Sequence, residues 1–230
     1  MAILNRVPAA PRTLRVLSAL LGYPDAALRA QLPDMLAALR EEDAVPAPRL
    51  AELGGLIHSL LRADPLEAEA EYVQIFDCGR ATSLHLFEHV HGDSRDRGPA
   101  MIDLAKTYEQ AGLYLAPGEL PDYLPAALEF ASTQPPRGAL EFLGEMSHIL
   151  DALHAALAQR GTRYAAVAAA LLDLAGEKPT AVAPPAEPPL DESWTEPPAF
   201  DGCSAKGQAR PDRVQPIHLV RRKPETGAAA

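Results

Sequence analysis

The side chains best suited to chemistry are concentrated between Glu71 and Asp103, and the most suggestive of them are His85, Glu88 and His89. His85-Leu86-Phe87-Glu88-His89 reads as H-x-x-E-H. On a helix that spacing puts two imidazoles on one face with a carboxylate beside them, the signature of inverted zinc peptidases. Such a centre also needs a third ligand and an open coordination position, and His148 and His154 lie downstream as candidates. The competing reading is structural: His89 and His91 end a helix, where the dipole favours imidazole. Five-residue patterns of this kind recur by chance, so the structural reading is carried forward, with no metal ligands and no catalytic residues expected.

Gly92-Asp93-Ser94-Arg95-Asp96-Arg97-Gly98 alternates charge over a short loop. Paired with carboxylates, Arg95 and Arg97 would make a rigid clasp, reaching Asp93, Glu88 or a neighbouring helix. Alternatively they would hold an anionic cofactor or phosphate, although Asp93 and Asp96 would partly neutralise them. There is no Gly-x-x-x-x-Gly-Lys phosphate loop and no Gly-x-Ser-x-Gly nucleophile elbow. Cys78 sits near Arg80, which favours a thiolate, but no base is fixed beside it in sequence. The other cysteine, Cys203, is too remote to suggest a zinc knuckle or a disulfide framework. Glu67, Glu69, Glu71 and Asp77 share a helical stretch with Val73 and Phe76. They are either a solvated face or the acidic rim of a groove that accepts a basic amphipathic helix; periodicity leaves both open.

The elements that must position these residues are helices. Apolar residues make up 47% of the 230-residue chain but aromatics only 5%, and alanine and leucine dominate, which favours helix over strand. Leu14, Leu17, Leu20 and Leu21 begin a helical stripe that stops at Gly22-Tyr23-Pro24, and Asp25 is placed to cap the next helix. Further stripes follow through Leu39, through Leu50 to Leu61, and from Pro65 to Phe76. Leu84, Phe87 and Val90 predict a helix after that. Met101, Leu104, Ala105, Tyr108 and Ala111 predict another, begun at Pro99 and closed by Gly112. A short helix near Leu124 to Ala131, one long helix from Leu140 to Leu157 and a last one through Leu174 complete the pattern. No alternating strand pattern of useful length is present. The expected fold is all-α: a flexible segment over 1–12, one compact helical domain over 13–175, and a disordered Pro-rich tail over 176–230. That tail carries ten of the 23 prolines and too little periodic apolar surface to offset its ordering entropy.

The net charge is −10, and all but one unit of it belongs to residues 1–175. This argues against a nucleic-acid partner, which requires a basic footprint. No apolar run approaches the roughly 18 residues of a membrane span. Arg12 and Arg15 interrupt the N-terminal apolar stretch, so no secretory signal is read and a cytoplasmic protein is expected.

Taken together, Glu71-Tyr72-Val73-Gln74-Ile75-Phe76-Asp77 and Leu86-Phe87-Glu88-His89-Val90-His91-Gly92-Asp93-Ser94-Arg95-Asp96-Arg97-Gly98 closely resemble the NarJ family, assembly chaperones of respiratory nitrate reductase also called its delta subunit. Ala100-Met101-Ile102-Asp103-Leu104, Tyr108 to Leu113, Glu119-Leu120-Pro121-Asp122-Tyr123-Leu124-Pro125, Leu20 to Pro24 and Tyr164 extend the resemblance over roughly residues 13–175. It implies an all-helical, non-catalytic chaperone, similar to those that bind twin-arginine leaders of molybdoenzymes. Such a protein holds the N-terminal segment of the catalytic (alpha) subunit until the molybdenum cofactor and an iron–sulfur cluster are inserted, before membrane attachment. It keeps no stably bound cofactor of its own. On this basis a client peptide is expected to contact Glu71, Tyr72, Phe76, Asp77, Leu86, Phe87, His89 and His91. Asp93, Ser94, Arg95, Asp96 and Arg97 would form a structural or anion-contacting loop. The alternatives are a different molybdoenzyme client, a carrier holding the cofactor through Arg95 and Arg97, and a zinc hydrolase using His85, Glu88 and His89.

Overall fold

The computed structural model describes residues 10–91 and 94–180, and among them the apolar stripes form ten α-helices. They are α1 (Pro11–Leu20), α2 (Ala26–Glu42), α3 (Ala47–Arg62), α4 (Pro65–Phe76), α5 (Leu86–Val90), α6 (Arg97–Gln110), α7 (Leu124–Thr133), α8 (Pro136–Glu145), α9 (Ser147–Gln159) and α10 (Ala165–Ala175). A 3-10 turn at Arg80–Thr82 precedes α5. The all-α expectation holds. The local chemistry that starts these helices is the chemistry expected: Asp25 accepts from Leu28 N at 2.8 Å, and Asp64 accepts from Leu66 N at 2.9 Å ahead of Pro65.

The centre of the fold is α10. Every residue from Ala166 to Leu172 is buried, as befits a helix that is apolar on all sides. It packs against α9, α8, α3 and α1. Helices α1 and α7 lie side by side and antiparallel: Ser18 Oγ donates to Pro125 O at 2.9 Å, and Arg15 Nε to Ser132 Oγ at 3.2 Å.

Several boundaries differ from the sequence expectation. Helix α1 starts at Pro11, inside the stretch expected to be flexible. The single late helix is two, α8 and α9, broken at Met146; Gly144, two residues earlier, is a poor helix former. The chain also continues in ordered contact past 175: Gly176 takes the left-handed conformation, Glu177 N donates to Leu172 O, and Thr180 N donates to Asp151 Oδ1 at 2.8 Å. The remainder of the expected tail, with Trp194 and Cys203, lies outside the described residues.

Candidate peptide-binding face

Helix α4 turns Tyr72, Ile75 and Phe76 inward and leaves Glu67, Glu71 and Asp77 exposed. Tyr72 donates its hydroxyl to Leu21 O at 2.7 Å, fixing α4 to the end of α1. Its ring meets Tyr23 edge-on at 5.6 Å, Phe76 at 4.8 Å and Tyr164 at 6.2 Å, and Phe76 meets Tyr164 edge-on at 5.0 Å. Contacts of this geometry contribute about 0.5–1.5 kcal/mol each beyond burial. Burial, and then neighbouring Tyr123, pushes the Tyr72 phenol well above its ordinary range, so it is a donor at any working pH. The outer member of the stack, Tyr23, is 47% exposed and donates to Glu69 Oε2 at 3.0 Å. That hydrogen bond, with Asp25 and Asp77 adding repulsion, raises the Tyr23 phenol. Tyr23 is therefore an aromatic surface patch with Glu69, Asp25 and Asp77 around it, and Leu66 of α4 is also exposed.

Beside this stack a buried carboxylate organises α5 and the start of α6. Asp122, fully buried, has Oδ1 3.3 Å from His85 Nδ1 and accepts from Phe87 N at Oδ2, also at 3.3 Å. Arg97 Nη2 lies 3.5 Å from Asp122 and 3.7 Å from Glu88. The backbone adds a short antiparallel bridge between His85 and Tyr123: Leu86 N donates to Asp122 O, and Leu124 N to Leu84 O. The Asp122 hydrogen bond raises the His85 pKa against the opposing effect of burial. One carboxylate thus joins the α6–α7 connection, the N-terminus of α5 and the N-terminus of α6.

This geometry corrects the H-x-x-E-H reading. His85 is extended and precedes α5, while Leu84, expected inside that helix, belongs to the bridge. The two imidazoles do not stand one turn apart: His85 faces Asp122, and His89 Nε2 donates to Ser83 O at 2.8 Å. No group of three potential ligands that could hold a metal occurs among the described residues. The clasp reading fits Arg97, which reaches Glu88 as expected and Asp122 besides. Arg95 is exposed, and Ser94 and Asp96 bond to each other. Asp93 lies outside the described residues. Helix α6 begins at Arg97 rather than Pro99. Of the residues expected to touch a peptide, Tyr72, Phe76 and Leu86 are core residues; Glu71 and Asp77 are exposed, and Phe87, His89 and His91 are half-buried. Phe87 packs edge-on against His91 at 5.4 Å. The open side chains at this face are thus the carboxylates and Tyr23, while the rest of the aromatic stack lies beneath.

Residues 24–170 match the family model described as nitrate reductase delta subunit. The chain belongs to that family. It is 48% identical over 162 residues to the nitrate reductase molybdenum cofactor assembly chaperone NarJ of Escherichia coli (strain K12), covering 70% of this chain and 69% of that one. It is 46% identical over 163 residues to NarW of the same organism, described as a probable nitrate reductase molybdenum cofactor assembly chaperone, covering 71% and 68%. A crystal structure described as a redox enzyme maturation protein from Archaeoglobus fulgidus superposes with a TM-score of 0.52 at 19% identity, over 77% of this chain and all of that one. This last likeness shows the fold alone.

Within the delta-subunit match lie Tyr72, Phe76 and Tyr164 of the aromatic stack and the whole Asp122 centre, while Tyr23 stands one residue before it. Tyr23, Asp122, Tyr123 and Tyr164 were not singled out as site residues from sequence. Each stands among the residues that carried the family resemblance, but the contacts that give them roles span 25 to 92 positions. No local pattern signals a pairing at that distance. Among the described residues, no helix is long and apolar enough to cross a membrane.

Proposed function

We propose that this protein is an assembly chaperone of respiratory nitrate reductase. It binds the N-terminal segment of the apo catalytic subunit in the cytoplasm and keeps that subunit competent for insertion of the molybdenum cofactor and an iron–sulfur cluster before membrane attachment. It is not an enzyme and retains no cofactor of its own. The observation that supports this reading is a concurrence: the chain belongs to the delta-subunit family, and one of the strings that mark it carries Tyr23, an exposed aromatic ring bonded to Glu69 with Asp25 and Asp77 nearby. A basic amphipathic peptide would lay apolar side chains on Tyr23, Leu66 and the exposed part of Phe87, with its cations toward Glu69, Glu71, Asp25 and Asp77. His89 and His91, half-buried beside Ser83 and Phe87, would extend the contact. Tyr72, Phe76 and Leu86 act from beneath as the rigid bed, and the Arg97–Asp122 clasp holds the adjoining edge. Arg97 is already committed to carboxylates, which disfavours an anion-carrier role for it.

The test is isothermal titration of the full chain with a synthetic peptide from the N-terminus of the cognate catalytic subunit, at low and high salt. Saturable binding with a negative heat-capacity change is expected, weakened by salt because rim charges are screened within about 8 Å at physiological ionic strength. Glu69→Lys with Asp77→Lys should lower the affinity tenfold or more while leaving the melting temperature close to that of the parent. Binding untouched by that double reversal would remove the peptide from this face. No binding at all would direct attention to another client, which a pull-down of molybdoenzyme subunits would identify.

A further inference from the structure

On the other side of the Pro121–Tyr123 segment is a cavity of about 430 Å³, lined by residues of α1, α6, α7 and the α6–α7 connection. Tyr108 and Phe130 are buried at its depth, with ring centroids 4.7 Å apart, and Leu113 and Leu115 line it further out. Its mouth carries the carboxylates of Glu119 and Glu129, and Tyr114, which is 79% exposed. The connection that lines the site is a hydrogen-bonded turn. Gly112 and Gly118 adopt φ of +80° and +95°, Glu119 N donates to Ala116 O, and Ala116 N donates to Glu119 Oε2. These bonds shape the turn, on which Tyr114 is exposed. Arg15, also at the lining, is turned toward α7 by its bond to Ser132.

We infer that this cavity is a second anchor point for the client: it takes one aromatic side chain of the bound segment, while a neighbouring cation of the same segment meets Glu119 and Glu129. The inference rests on the chaperone reading above and specifies more of its interface. Three observations select this occupant. The volume falls in the range of ligand pockets and admits a single large side chain. Its depth is aromatic, with an exposed tyrosine at the mouth, the composition that anchors peptide side chains at interfaces. Carboxylates at the lip match the cationic segment that the acidic face also selects. The two places share the α6–α7 connection: Tyr108 donates to Pro121 O at 2.9 Å, two residues before Tyr123, which neighbours Tyr72.

Ala126 is half-buried and lines the cavity, so Ala126→Trp would fill it from the wall. The catalytic-subunit peptide should bind this variant at least tenfold more weakly than the parent, and Glu129→Lys several-fold more weakly. A peptide with its aromatic residues replaced by alanine should bind the parent and Ala126→Trp alike. Equal affinity of parent and Ala126→Trp for the unaltered peptide would overturn the inference. If Ala126→Trp melts early, Thr133→Trp at the exposed end of the lining serves the same comparison. If the peptide fails to bind the parent at all, the client reading falls, and the cavity is tested with N-acetyl-tryptophanamide by amide chemical-shift mapping. Shifts centred on Leu113 to Leu115 and Phe130 would sustain an aromatic-anchor site; their absence would overturn it.

Discussion

Helices α10 and α6 are of similar length and are held in different ways. In α10 seven consecutive residues are buried, and its alanines let α9, α8 and α3 approach closely. In α6 the sequence offers a comparable stripe, yet Tyr108 alone is buried, Met101, Leu104 and Ala105 are half-buried, and Ile102 is 57% exposed. What fastens α6 is polar and lies at its ends: Arg97 to Asp122 and Glu88 at the first turn, and the Tyr108 hydroxyl to Pro121 O at the last. One helix is stabilised along its length by apolar burial and the other by two pins. The pinned helix belongs to the low-stability end of the molecule, where elements move without unfolding the core, and it adjoins both proposed contact areas.

The largest expected effect tests that contrast directly. Leu171→Ala removes a fully buried side chain from the centre of the fold and should cost about 2–5 kcal/mol, measured by chemical denaturation. Leu104→Ala, the same change in α6, should cost less than about 1 kcal/mol because little packing is lost. Equal costs would mean that α6 is packed as tightly as α10.

An intermediate effect is expected from the pin. Asp122→Ala leaves Phe87 N without its acceptor and separates His85 and Arg97 from their shared carboxylate. Losing one partner of a buried pair typically costs 3–5 kcal/mol. His85 and Arg97 are half-exposed, so about 2–3 kcal/mol is expected here. Amide hydrogen exchange should accelerate in α5 and α6 while α10 keeps its protection. Uniform acceleration across all helices would show that Asp122 supports the whole fold rather than one edge of it.

The same contrast explains what the sequence revealed. Period-3.6 stripes, Asp25 and Asp64 as caps, Pro65 at a first turn and glycine at helix ends all act within a few residues, and the helices they predict are present. Where packing over long distances decides, local pattern misleads. Met101 and Leu104 read as core but face a side with little to cover them. H-x-x-E-H reads as a helical chelate, but Tyr123 draws His85 into a backbone bridge and Asp122 claims its ring. Tyr72 and Phe76, expected at a groove surface, are drawn inward because Tyr23 and Tyr164 supply aromatic partners from distant positions. The exposure of Glu67, Glu71 and Asp77 was legible, since carboxylates on a helix that buries its apolar face must point outward, although pattern alone does not separate a solvated face from a groove rim. The cavity beside Tyr108 was not legible, because four separate elements line it.

The smallest effect concerns the proton on His85. Asp122 is the dominant cause of the raised pKa, with Glu88 adding to it, and burial and Arg97 acting against it. The folded protein therefore holds this proton more tightly than the unfolded chain. The stabilisation is fully present below the ordinary histidine value of about 6.5 and is lost as pH rises through the raised folded value. With the His85 side chain 32% exposed, the contribution should stay below about 1 kcal/mol. His154 has the opposite sign: burial, then Arg49, lowers its pKa, so it reduces stability as pH falls below about 6.5 toward its depressed folded value. Ring-proton NMR separates the two. In Asp122→Asn the His85 midpoint should fall to the ordinary range or below, whereas the His154 midpoint should not move. An unchanged His85 midpoint would mean that the carboxylate does not hold the imidazole in solution, and that Asp122 acts on this edge through Arg97 and Phe87 N alone.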